Sequence, residues 1–125
     1  MTNDGSVATS WRRDLPCFRC ERTAVTLVVD YASGGRGVTL VRDGFLARKS
    51  SFLSVPAAEG IAEEDGVELL RWLPQAFHGF FCRECAATYC ATCWRVGPPE
   101  HDEEGYAGRL GVCPAGHESV VDGGG

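Results

Sequence analysis

Seven cysteines and one histidine fall into four short pairs along the chain: Cys17 and Cys20 in "CFRC", Cys82 and Cys85 in "CREC", Cys90 and Cys93 in "CATC", and Cys113 and His117 in "CPAGH". Thiolate sulfur and imidazole nitrogen are donors that zinc-like divalent ions favour, and four of them close a tetrahedral site. A C-x-x-C turn aims two thiolates at one point while its backbone N–H groups offset part of their charge. Two such pairs from distant parts of the chain complete one site. The eight donors therefore suffice for two sites, one of four cysteines and one of three cysteines with a histidine. The expected cofactors are two structural zinc ions with closed shells, and no catalytic residue is expected. Seven thiols cannot all pair as disulfides, and clustered C-x-x-C pairs in a reducing compartment point to metal.

Other uses of these residues fit less well. A redox dithiol calls for a strand-then-helix context that none of the pairs shows. An iron–sulfur cluster would take four cysteines and leave three, with His117, idle. A catalytic zinc needs an open position beside a general base, whereas here protein donors can fill every position. Of the remaining histidines, His78 is either a substitute ligand or packs beside Phe77 and Phe80. His101, in "PPEHDEE", reads as a solvated loop residue. Only four residues separate Cys85 from Cys90, so these two turns are expected at the ends of a short hairpin, facing different metals. Cys17 and Cys20 then join either Cys90 and Cys93, in a cross-braced order, or Cys82 and Cys85, in a sequential one. The cross-braced order is preferred.

The elements that must position these donors are short. A chain of 125 residues with 44% hydrophobic content supports one domain and a modest core. The opening residues carry no apolar run of the signal-peptide kind, and no stretch reaches the roughly 18 to 20 apolar residues of a membrane span. A soluble cytoplasmic protein with no membrane partner is expected. The net charge of -5 is unevenly placed: residues 1–55 sum to +3 and residues 56–125 to -8. An acidic half carrying most of the cysteines is a poor surface for phosphate backbones or anionic lipids, which argues against nucleic acid as partner.

Between Cys20 and Cys82, "TAVTLVVDYA" (23–32) reads as a strand, "SGGRG" (33–37) as a turn, and 38–55 as two strands joined at "DG". Residues 56–66 read as an acidic loop or frayed helix, and "VELLRWLPQAF" (67–77) as a short helix or a strand ended by Pro74. Val25, Leu27, Val29, Leu40, Leu53, Leu69, Leu70 and Trp72 are the candidates to pack this meander on the metal core. After Cys93 the chain reads mostly as loop. The domain plan is a flexible tail (1–10), one metal-binding domain (11–121) with a β-rich insertion (21–81), and a glycine tail (122–125). The fold class is small α+β, mostly β.

In ligand order, residues 11–20 and 80–117 resemble the RING/FYVE/PHD group of cross-braced zinc fingers and, in part, the in-between-RING module. "YCATCW" followed by "CPAGH" is similar to the second half of a RING finger. "WRRDLPCFRC" with "FFCRECAATYC" resembles FYVE fingers, although "AFHGFF" lacks the basic cluster that FYVE fingers place there for phosphoinositides. The resemblance implies a two-zinc treble-clef or RING-like finger with a strand-rich insertion between the first and second pairs. It also implies a groove for a ubiquitin-type conjugating enzyme, formed here by Phe18, Trp94 and Pro114. The functional expectation is a non-catalytic, zinc-stabilised protein-interaction module, in its most specific form a RING-like adaptor with such an enzyme as partner. The alternatives are a small zinc-dependent hydrolase or thiol enzyme, which requires a reactive native cysteine, and a nucleic-acid-associated finger using Arg12, Arg13, Arg19 and Arg22. The terminal "VVDGGG" is expected to be an ordinary tail rather than a conjugated Gly-Gly end.

Overall fold

The computed structural model describes residues 10–31 and 38–123. The expected turn at 33–37, residues 1–9 of the N-terminal tail and Gly124 and Gly125 lie outside these. Strands β1 (Ser10–Pro16), β2 (Thr23–Tyr31), β3 (Val38–Asp43) and β4 (Lys49–Leu53) form an antiparallel meander in that order. The β-branched run of β2 explains its centrality: Val25, Leu27 and Val29 are fully buried on one face, while Thr26 and Val28 keep partial exposure on the other. Val38 and Leu40 of β3 continue this buried face. The expected hairpin at "DG" forms, with Gly44 at φ +85° and its N–H donating to Asp43 Oδ1 at 2.9 Å.

Strand β1 was not anticipated. The expected tail over 1–10 includes Ser10, but pairing starts at Ser10↔Asp30, takes in Trp11, and runs to Pro16. Arginine-rich "SWRRDLP" suits an edge strand, where charge discourages further pairing. Arg13 has a specific task. Its guanidinium donates to Ile61 O and Glu64 O at 2.6 Å each and pairs with Asp65. These carbonyls end helix α1 (Val55–Glu63), so Arg13 satisfies groups that the helix leaves unpaired.

At its other end α1 is capped by Ser54, whose Oγ accepts from Ala57 N–H at 3.2 Å. Gly60 is required by packing, because a side chain there would occupy the space of the Trp72 indole. The ambiguous stretch 67–77 resolves as helix: α2 (Gly66–Leu70), followed after Pro74 by a 310 turn at Gln75–Phe80. Leu69, Leu70, Phe77 and Phe80 enter the core from these segments, and Leu53 and Trp72 pack partly buried against it.

Beyond the turn, β5 (Phe81–Cys82) and β6 (Ala87–Thr88) make a short hairpin. Then β7 (Arg95–Val96), β8 (Glu100–Asp102), β9 (Gly105–Val112) and β10 (Glu118–Asp122) form a second sheet, with β9 at its centre. This corrects the expectation of loop after Cys93. "GYAGRLGV" has low β propensity, and its glycines are there for close approach. A side chain at Gly111 would meet the Val121 side chain, and one at Gly108, at φ +130°, would meet Asp122 O. Strand β10 also extends into the expected glycine tail, through Asp122. Among the described residues, no helix is long and apolar enough to cross a membrane.

A buried polar network ties the sheets together. Lys49 Nζ lies 3.0 Å from Asp122 Oδ1, with side chains 12% and 7% exposed, and Tyr106 Oη donates to Asp122 Oδ2 at 2.6 Å. Arg42 is fully buried and donates to Phe45 O at 2.9 Å and Ala47 O at 2.8 Å, holding the loop after β3. Burial pulls the Arg42 guanidinium down from its ordinary pKa, and the Asp122 charge opposes that. Asp122→Ala would leave Lys49 unpaired and close to buried Arg42. Chemical denaturation should show a loss of about 3–5 kcal/mol, against under about 1 kcal/mol for breaking the exposed Arg71–Glu68 pair.

Candidate metal centres

The four pairs of donors gather into two groups. Cys17, Cys20, Cys90 and Cys93 form the first, and Cys82, Cys85, Cys113 and His117 the second, with the donor atoms of each group within 4.8 Å of one another. Along the chain the first pair joins the third and the second joins the fourth, which is the preferred, interleaved one of the two expected orders. His78 and His101 belong to neither group. His78 bonds Leu73 O and Arg83, while His101 lies on β8 rather than in a loop, edge-on to Tyr106 with centroids 5.8 Å apart.

The distances test whether a metal fits. A tetrahedral site with sulfur about 2.3 Å and nitrogen about 2.0–2.1 Å from the ion has S···S edges of about 3.8 Å and S···N edges of about 3.6 Å. In the first group Cys17 Sγ–Cys93 Sγ and Cys20 Sγ–Cys90 Sγ are both 3.6 Å. In the second, Cys85 Sγ–Cys113 Sγ is 3.7 Å, and His117 Nδ1 lies 3.6 Å from Cys82 Sγ and 3.4 Å from both Cys85 Sγ and Cys113 Sγ. These separations are far too long for disulfides. Each group could hold one metal ion.

Local backbone explains how the donors converge. Cys17 N–H donates to Arg22 O at 2.7 Å, and Glu21 N–H to Cys17 O at 3.0 Å, closing the first turn. In the second, Cys85 N–H points at Cys82 Sγ at 3.4 Å, and in the fourth His117 N–H points at Cys113 Sγ at 3.3 Å. The residue after each of the first two turns is left-handed without being glycine: Glu21 at φ 67° and Ala86 at φ 53°. Such conformations cost roughly 1–2 kcal/mol for a residue with a Cβ, so the surrounding turn must enforce them. In the fourth pair Gly116, at φ 95°, does this without strain.

The thiols do not ionise alike. Burial pushes the Cys17 thiol up, but backbone N–H groups of Cys20, Cys90 and Arg19 outweigh it and hold the thiol at about 6. Cys113 also reaches about 6, burial being outweighed by the N–H groups of His117 and Ala115. Cys93 is pushed up to about 12 by burial and the neighbouring thiols, and Cys82 to about 11, mainly by burial. The pattern is that of negative charges crowded together: one proton leaves readily and the next is retained, unless a cation compensates. Around the second group His117 Nε2 faces the exposed carboxylate of Glu84, with Oε1 at 3.7 Å. Glu84 lay unrecognised in "CREC" because its contact is with a residue 33 positions away. Tyr89, next to Cys90 of the first group in sequence, has its hydroxyl pushed up by the Cys85 thiol of the second and by burial.

The aromatic residues around the sites separate into surface and core. Phe18 is 76% exposed at the first turn, and Pro114 is half-buried. Trp94 is 2% exposed, which removes it from the expected partner surface. Its ring packs edge-on to Tyr89 at 6.1 Å, and its Nε1–H donates to Phe80 O at 3.4 Å. Following a metal turn in sequence had suggested display, but the chain here bends inward to bury the largest apolar side chain available. Arg13, engaged with α1, likewise leaves the expected basic face.

Because Cys82 and Cys93 hold protons at pH 7, binding must displace at least one proton per site. Apparent metal affinity at each site should rise by about tenfold or more per pH unit between pH 7 and 9, and calorimetry in buffers of different ionisation enthalpy should detect the released protons. A pH-independent affinity would contradict this. Ala86→Gly should relieve the left-handed strain and raise the stability of the metal-loaded protein by about 0.5–1 kcal/mol, read from thermal unfolding.

No curated protein and no solved structure matches the chain. One family model matches residues 7–123, a span that includes all eight donors, and the chain accordingly belongs to the family described as a domain of unknown function (DUF8328).

Proposed function

We propose that this protein is a non-catalytic interaction module whose frame is fixed by two structural zinc ions. Thiolate and imidazole donors at tetrahedral spacing suit zinc better than the oxygen-seeking divalent ions. The observation that carries the reading is the use of every cysteine and His117 in two four-donor groups. Each site is thereby closed by protein, with no free corner for a substrate or an activated water, and no free thiol is left to act as a nucleophile. A zinc-dependent hydrolase or a thiol enzyme has nothing comparable to support it.

The surface of the module includes Phe18, set on the rigid first turn. Its N–H donates to Thr88 O at 2.7 Å, and its ring meets Tyr89 edge-on at 6.3 Å, which fixes the base of an otherwise exposed side chain. A large apolar residue held in one place and left in water is a characteristic anchor for a protein partner. The more specific form of the reading is a RING-like adaptor for a ubiquitin-type conjugating enzyme. The interleaved ligand order and the position of Phe18 support it, and the burial of Trp94 takes away one of its three contacts.

Phe18→Ala tests the surface directly. Native mass spectrometry should still count two metals, while capture of a conjugating enzyme or other protein partner should weaken by about tenfold or more. Equal capture by the variant and the parent protein would remove Phe18 from the interface.

A further inference from the structure

A second feature of the surface lies on the far side of the "CREC" turn. The 310 turn Gln75–Phe80, the start of β5 and the outer edge of β10 border a groove of about 520 Å³. That size is within the range of ligand sites, about 300–1,000 Å³. Its lining includes Gln75, His78, Phe81, Arg83, Ser119 and Val120. Phe81 and Val120 offer apolar contact, and Val120 is 55% exposed. The polar lining consists of potential donors, and among the described residues no carboxylate lines the groove.

Arg83 is the charged centre of this arrangement. It sits between Cys82 and Cys85, so the metal turn fixes its backbone. Its Nη2 lies 3.0 Å from His78 Nδ1, and His78 Nε2 lies 3.0 Å from Leu73 O. Arginine can only donate, so His78 Nδ1 accepts and its proton sits on Nε2, bonded to Leu73. A ring thus braces the guanidinium, which keeps its remaining N–H groups for another acceptor. Among the described residues no ion pair joins Arg83 to an acidic side chain, although the half of the chain that contains it is strongly acidic.

We propose that this groove binds an extended, acidic peptide segment of a partner protein, with a side-chain carboxylate on Arg83. An uncompensated guanidinium is the complement of a carboxylate, which it can grip through two parallel hydrogen bonds. Strand β10 has β9 on one side; on the other the 310 turn packs against Val121, where a side chain at Gly79 would meet Val121 O, and the groove runs beside Ser119 and Val120. An extended chain can lie in this groove with alternate side chains reaching Phe81 and Val120. The assignment shares with the preceding reading only the idea of a metal-held interaction platform, since Phe18 takes no part in it.

The test uses the full metal-loaded chain and a blocked hexapeptide of alternating Val and Glu, with its Val and Gln counterpart. Binding of the acidic peptide should shift the amide resonances of Gly79, Arg83, Ser119 and Val120. It should weaken about tenfold or more in Arg83→Gln, in Val120→Asp and with the Gln peptide, and it should be unchanged in Phe18→Ala. Equal binding of both peptides, shifts centred elsewhere, or full affinity in both groove variants would overturn the proposal. Two metals retained in each variant separate loss of the groove from loss of the frame. Loss of partner capture in Phe18→Ala with peptide binding intact would show that the two surfaces stand or fall separately.

Discussion

The rest of the structure depends on bringing four soft donors together twice, against their mutual repulsion. Thiolates 3.6–3.7 Å apart in a half-buried setting repel one another too strongly for all of them to stay ionised without a cation. A divalent cation turns that repulsion into attraction, and the gain is on the order of 10 kcal/mol for a structural zinc site. That is as large as the net stability of a typical small domain. One apolar core also runs from Leu27 and Leu40 of the meander through Phe80 to Val121 of the C-terminal sheet.

The second connection between the halves is ionic and buried. Lys49, Asp122 and Tyr106 join β4 to β9 and β10, beside buried Arg42, in a place where apolar residues would have served for stability alone. Directional bonds fix one relative position of the sheets, whereas apolar contact tolerates sliding. The value of the network therefore lies in alignment, which in turn sets the outline of the groove beside β10.

Much of the site could be read from the chain, because a metal turn is local: two donors three residues apart face the same point whatever surrounds them. Strand β2 was readable for the same reason, its β-branched alternation being a property of consecutive residues. The four residues between Cys85 and Cys90 sent those two turns to different metals but allowed both an interleaved and a sequential pairing, and only the fold decides between them. What escaped depended on distant partners. Strand β9 is glycine-rich, and its pairing is dictated by Val121 and Asp122. Trp94 was expected outside, yet Phe80 and Tyr89 from the preceding hairpin draw it in. Arg13 and Arg83 look alike as sequence, and only the fold gives one to a helix end and leaves the other facing a groove.

The interleaved pairing also carries a consequence for biosynthesis. Cys20 and Cys90 are 70 positions apart, and Cys82 and His117 are 35 apart. A chain emerging from the ribosome exposes its first two thiols long before Cys90 and Cys93 exist, and the second group is complete only once His117 has appeared. Neither ion can be captured in final form early in translation. The nascent polypeptide must therefore carry reactive sulfur until those partners emerge, which makes the local supply of metal and reductant part of its maturation.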